Sequence, residues 1–317
     1  MAPGTSVALG PLESWRRRLW PSRLDAYTGY LLLLPALMLV TTLMISLVMI
    51  GDNSLHLLDR ATFRLGDAFS LGNYQTLAER PVYLRIIAKT MLAAVIVTMI
   101  TLALAMPYAY LMVRTKSSGL RKLLLISLFL PFFLGQVIRA YGWLIILGKQ
   151  GLLNATLTSL GLPSIDLIYS FTGVLIGLVQ YMLPFAVLLL APAFTAIPEE
   201  LELASMSLGG RPWATIRHVI LPLAKPGWVA AGVVVFTLTL TDFAMPEIMG
   251  GGGNDFIANA IYDGFFQLSD AGLGAALSIV LTLIGTLVVA IIFTAIGAGA
   301  AGSVNKVGAT NDGDNPC

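Results

Sequence analysis

The chain has 317 residues, 57% of them hydrophobic and only 11% charged, with a net charge of +2. Soluble domains carry about 25% charged residues, so an ordinary soluble fold is excluded. The near-neutral balance gives no electrostatic footprint for nucleic acid, and none is expected as a partner. The single cysteine, Cys317, and two distant histidines, His56 and His218, exclude an internal disulfide and suggest no metal site.

The apolar residues gather into long uncharged runs bounded by charges, as in a polytopic membrane protein. A hydrocarbon core takes about 20 apolar helical residues to cross. Six runs meet that length: Tyr30–Ile50, Thr90–Val113, Leu123–Leu147, Leu167–Ile197, Gly227–Met249 and Leu273–Ala295. Pro107 marks a kink in the second run, and Pro184 and Pro192 predict a bent or broken fourth. Arg139 lies inside the third, while Asp242 and Glu247 lie near the far end of the fifth. The basic stretch Trp15–Arg23 precedes a run as long as a span and without a small-residue cleavage site, so no cleavable signal peptide is expected.

Basic residues set the orientation. Arg16, Arg17, Arg18, Arg23, Arg114, Lys116, Arg121, Lys122, Arg211, Arg217, Lys225 and Lys306 fall on one side if both termini are cytoplasmic, twelve of the chain's 19. The opposite side holds the mixed segment Gly51–Arg85, the Gly/Leu-rich Gly148–Asp166, and Gly250–Asp270, whose opening glycines predict a flexible hinge. The expected organisation is a cytoplasmic segment 1–29, an all-α domain 30–302 with an inner loop at 198–227, and a disordered cytoplasmic tail 303–317.

The inner loop is too long for a simple turn. Glu199, Glu200 and Glu202 favour a helix N-terminus. Leu201, Ala204, Ser205 and Leu208 repeat at helical spacing. Gly209-Gly210 stops that helix and Pro212 starts another. Ile216, Val219 and Ile220 form the second stripe, which Leu221-Pro222 ends. On pattern alone this is equally an amphipathic hairpin on the inner leaflet.

The segment resembles the EAA loop of ABC-importer permeases, through Glu202, Ala204, Gly209 and Ile220-Leu221-Pro222, with Leu203 standing where the family has alanine. Leu71-Gly-Asn-Tyr74, Val137-Ile-Arg-Ala-Tyr-Gly-Trp143, Gly151-Leu-Leu-Asn154 and Asp242-Phe-Ala-Met-Pro-Glu-Ile-Met-Gly-Gly251 resemble the spermidine/putrescine branch. Branches carrying amino-acid derivatives, aminophosphonates or iron chelates share much of this. The resemblance implies a type I importer permease of a bacterial inner membrane, moving a small organic cation, most like a polyamine, by alternating access. It also implies a sister permease, two copies of a cytoplasmic ATPase and a periplasmic binding protein as partners. Glu202, Ala204, Leu208, Gly209, Gly210 and Pro222 would then couple this chain to the ATPase.

The chain has no Walker A sequence, so Gly250–Gly253 is no phosphate loop, and no H-E-x-x-H or G-x-S-x-G. It is expected to bind no cofactor and to be no enzyme, with ATP and Mg on the partner ATPase. Arg139, Asp242 and Glu247 leave two readings open. One is an ion pair of Arg139 with either acid; the other is a pathway in which the acids attract a cation and Tyr141, Trp143 and Tyr181 add aromatic faces. An ion-driven secondary transporter also accommodates acids in broken helices, but not the inner loop.

Overall fold

The computed structural model describes the backbone of residues 28–308 and the side chains of residues 33–294. All but the last two residues of the expected cytoplasmic segment 1–29, and the end of the expected tail, therefore lie outside the described residues. The chain divides into two units, Met1–Asp52 and Asn53–Cys317. The described part of the first is α1 (Thr28–Ser54), whose last two residues pass the boundary.

The second unit begins with a β-hairpin, β1 (His56–Asp59) and β2 (Arg64–Phe69), followed by α2 (Gly72–Glu79). The composition of Gly51–Arg85 did not announce these strands. Asn73 holds them by donating to the carbonyls of Ser54 and His56 at 3.0 and 2.9 Å. Pro81 then opens α3 (Pro81–Arg114), where its missing N–H costs nothing. This helix starts nine residues before the expected span and takes Arg85 and Lys89 into its first turns.

The expected third span is two helices, α4 (Ser118–Phe133) and α5 (Gln136–Leu147), broken at Leu134-Gly135. The axis turns by 102° there. Pro131 and Gly135, both poor interior helix residues, flank the break. Beyond α6 (Leu152–Ser159), Ser170 caps α7 (Phe171–Thr195) through the Gly173 N–H at 3.0 Å. Pro184 and Pro192 lie within α7 without breaking it, so of the expected bend or break the break does not occur.

The loop region forms α8 (Glu199–Ser207) and α9 (Pro212–Leu223), the latter containing a π turn at Ile216–Ile220. Pro222 does not end α9; the chain bends by 73° after it, at Ala224, into α10 (Lys225–Leu240). The expected fifth span stops at Leu240 and resumes as α11 (Ala244–Met249), leaving Asp242 in the gap. After α12 (Ile257–Tyr262, continued by a π turn to Gln267) comes α13 (Ala271–Gly308). It extends helix six residues into the segment expected to be a polar tail. Among the described residues four helices are long and apolar enough to cross a membrane, and counting each bent pair as one span makes six.

Four-residue rows build the core. On α3, Ala93, Val97, Thr101, Ala105 and Ala109 are all fully buried. The matching row on α7 is Val174, Leu178, Met182, Ala186, Leu190 and Phe194, and on α10 it is Gly227, Ala231, Val235 and Thr239. Rows at i±4 are the ridges along which helices interlock, and small residues let backbones approach. At Gly227 the approach is so close that a methyl group would collide with Ala193.

Candidate functional site

The chain bears polar constellations at three levels, between the end carrying α8 and α9 and the end carrying the hairpin. At the first, Glu202 is the anchor. Its carboxylate accepts from Arg114 Nε at 2.7 Å and from the Tyr110 hydroxyl at 2.9 Å, and lies 2.6 Å from Arg114 Nη2. Arg114 also donates to the Ile197 carbonyl at 2.8 Å. The last turn of α3 thus holds the first turns of α8. Tyr110 and Arg114 were missed as partners because they lie 92 and 88 residues from Glu202 in sequence.

The two loop helices are joined by a 2.9 Å hydrogen bond between the Ser205 and Thr215 hydroxyls. Gly209 has φ +84°, a conformation open to glycine and costly for side-chain-bearing residues. Gly210 folds back so that its N–H reaches the Ser205 carbonyl at 3.0 Å. The expected stripe Leu201, Ala204, Ser205, Leu208 is not the packed face of α8; only Ser205 of the four turns inward, alongside Glu202. Ala204 and Pro222 are exposed, as are Leu208, at 90%, and Trp213, at 69%. These apolar groups find no covering surface among the described residues. On α9 the expected stripe holds: Ile220 is buried and Ile216 and Val219 half-buried.

At mid-depth, the breaks after α4 and α10 bring Gln136, Arg139, Tyr181 and Asp242 together. Asp242 is buried; Oδ1 accepts the Met245 N–H at 2.9 Å, capping α11, and Oδ2 accepts from Gln136 Nε2 at 2.6 Å. Arg139 is 9% exposed and stacks on Tyr181, its guanidinium carbon 4.6 Å from the ring centroid. Its Nε and Nη1 are buried without an acceptor. Among the described residues no acid reaches Arg139 at ion-pair distance. Trp143, one turn on, donates to Gln180 Oε1 at 3.3 Å. Tyr141 points away and is exposed.

At the hairpin end, Glu247 is exposed and accepts from Asn259 Nδ2 at 2.8 Å. Asp255 and Asp263 join it, a pair the sequence reading did not select. Burial first, then the Asp263 and Glu247 charges, raise the Asp255 carboxyl above the ordinary carboxylate range; burial and Glu247 do the same for Asp263. The glycine run expected to act as a hinge is tied at its far end. Lys89 donates to the Gly253 carbonyl and Asn254 Oδ1, and Asn254 Nδ2 to the Tyr169 carbonyl, at 2.9, 3.1 and 3.0 Å.

The profile of binding-protein-dependent transport system inner membrane components matches residues 86–300. Spermidine/putrescine transport system permease protein PotB of Salmonella typhimurium (strain LT2) is 33% identical over 241 residues, 75% of this chain and 83% of that protein. Inner membrane ABC transporter permease protein YdcU of Escherichia coli (strain K12) is 32% identical over 235 residues, 70% of this chain and 74% of that protein. A bacterial alginate ABC transporter, crystallised in complex with alginate pentasaccharide-bound periplasmic protein, has a chain that superposes with a TM-score of 0.72. The match covers 87% of this chain and 96% of that one, at 19% identity, and shows a shared fold.

Proposed function

The chain belongs to the binding-protein-dependent transport system inner membrane components, and from that premise we propose that it carries a small organic cation, of the polyamine kind, from periplasm to cytoplasm. It is a multi-pass permease subunit of an ABC importer. The observation that carries the cation reading is Asp242, a buried carboxylate in a helix break with Tyr181 and Trp143 nearby. A buried carboxylate is costly unless it is paired, and an ammonium group is the partner such a place suits. The similarity to PotB over three quarters of the chain supports polyamines as the solute.

Both termini lie in the cytoplasm in this reading, following the basic residues, so Glu247, Asp255 and Asp263 face the periplasm. There they draw the cation from a periplasmic binding protein. A sister permease completes the translocation body, and two copies of an ATPase hold ATP and Mg. The knob of α8, with Leu208, and Trp213 of α9 dock on that ATPase. Its closure pulls the inner loops together and opens the bundle outward; hydrolysis reverses the motion.

The test is uptake of labelled spermidine by the whole complex in proteoliposomes. Spermidine should compete with putrescine and not with a neutral sugar. Because Asp255 and Asp263 bind protons more tightly than ordinary carboxylates, their charge is lost earlier as pH falls. Uptake should therefore begin to drop above the ordinary carboxylate pKa of about 4. A flat profile down to that pH would remove Asp255 and Asp263 as the attracting groups, and indifference to spermidine would remove the cation reading.

A further inference from the structure

Of two polar side chains on one face of α5, one holds the Asp242 carboxylate and the other rests beside it on Tyr181. Gln136 bonds Asp242 Oδ2 at 2.6 Å. Arg139, three residues on and so its neighbour on the helix surface, stays on Tyr181 with Nε and Nη1 unfilled. Those two atoms are closed to solvent, so neither water nor a solute fills them without movement of the protein. Buried donors without acceptors are costly and rare, and the guanidinium donors are charged. Arg139 carries the charge opposite to Asp242 and lies on the helix that supplies Asp242's present partner, Gln136. Each Asp242 oxygen retains a lone pair beyond those used by Gln136 and Met245.

We propose that Gln136 and Arg139 alternate on Asp242, Gln136 holding the carboxylate open to a solute ammonium and Arg139 taking it over on release. The neutral amide leaves the carboxylate charge unbalanced, so a cation is attracted. The guanidinium neutralises it and occupies the oxygens that the ammonium would use. Gln136 is thus a positioning residue and Arg139 a resident competitor, which lets one site bind tightly in one state and weakly in another. The inference rests on the cation reading proposed above.

The test uses the purified permease–ATPase complex without binding protein. It measures equilibrium binding of labelled spermidine, and maximal uptake rate after reconstitution with binding protein. Arg139→Gln should lower the spermidine Kd about tenfold, within the usual range of coupling effects, while slowing uptake. Gln136→Ala should raise Kd about tenfold, and Arg139→Gln should reverse that rise in the double variant. An unchanged or raised Kd in Arg139→Gln, or a double variant as weak as Gln136→Ala, overturns the exchange. If Arg139→Gln does not accumulate, Gln136→Ala alone decides: an unchanged Kd overturns the proposal. Asp242→Asn separates the two levels. An unchanged Kd there removes the cation reading and the exchange together, whereas a raised Kd with no effect of Arg139→Gln removes the exchange alone.

Discussion

Glu202→Ala is expected to cut uptake by about thirty- to a hundredfold while membrane insertion survives. The change strips three donors of their acceptor, two on Arg114 and one on Tyr110. Breaking a buried ion pair costs about 3–5 kcal/mol. Arg114 and Glu202 are each 14% exposed, so roughly 2–3 kcal/mol is a fairer figure after solvent screening. At a factor of ten per 1.4 kcal/mol, that shifts the population of correctly held α8 by roughly the stated amount. Glu199, 4.0 Å from Arg114 and mostly exposed, is a weak replacement. Arg114→Ala should show the same loss, and the double variant no more than either alone, since one contact is removed in all three. Gly209→Val tests the other end of α8: β-branched residues are strained at positive φ, so uptake should fall by about tenfold at normal expression. Uptake at the wild-type rate in all of these would show that α8 need not be held in place.

Asp242→Asn should lower uptake by about ten- to a hundredfold, and clearly more than Glu247→Gln. Asparagine still caps a helix, so the Met245 N–H keeps an acceptor and the break keeps its shape. What disappears is the buried charge. Glu247 is exposed, water replaces it readily, and Asp255 and Asp263 remain beside it. An ion-pair brace between Arg139 and Asp242 predicts another result: folded protein would fall in Asp242→Asn and recover when Arg139→Gln is added. The guanidinium resting on Tyr181 argues for the first outcome. Folded yield, melting temperature and uptake for the two single variants and the double distinguish them.

Much of this architecture was legible in the chain because hydrophobic length is a local property. Runs such as Thr90–Val113 and Leu273–Ala295 identify spans without knowledge of their neighbours, and Gly209 with Pro212 marks the turn between α8 and α9. The break at Leu134-Gly135 was not legible, because it sits in a run as apolar as an intact span; at Thr241–Phe243 Asp242 marked a charge in the span but not that the helix stops there. The packed side of α8 was misjudged because Leu201 and Leu208 have helical spacing but no partner among the described residues. The polar partnerships were out of reach for a different reason. Gln136 and Asp242 are 106 residues apart, and only the meeting of two helix breaks puts them in contact. Gln136 lies one turn before Arg139, which is the only local sign that it belongs to the same site.

ATP is expected to drive a cation through this chain by way of α8. Uptake of labelled spermidine into proteoliposomes holding the complete complex and its loaded binding protein measures this directly, with ATP inside, with a proton or sodium gradient alone, and with Glu202→Ala. Uptake that requires ATP, ignores the gradients and collapses in Glu202→Ala is the expected result. Uptake driven by a gradient without ATP, or left intact by Glu202→Ala, would contradict it.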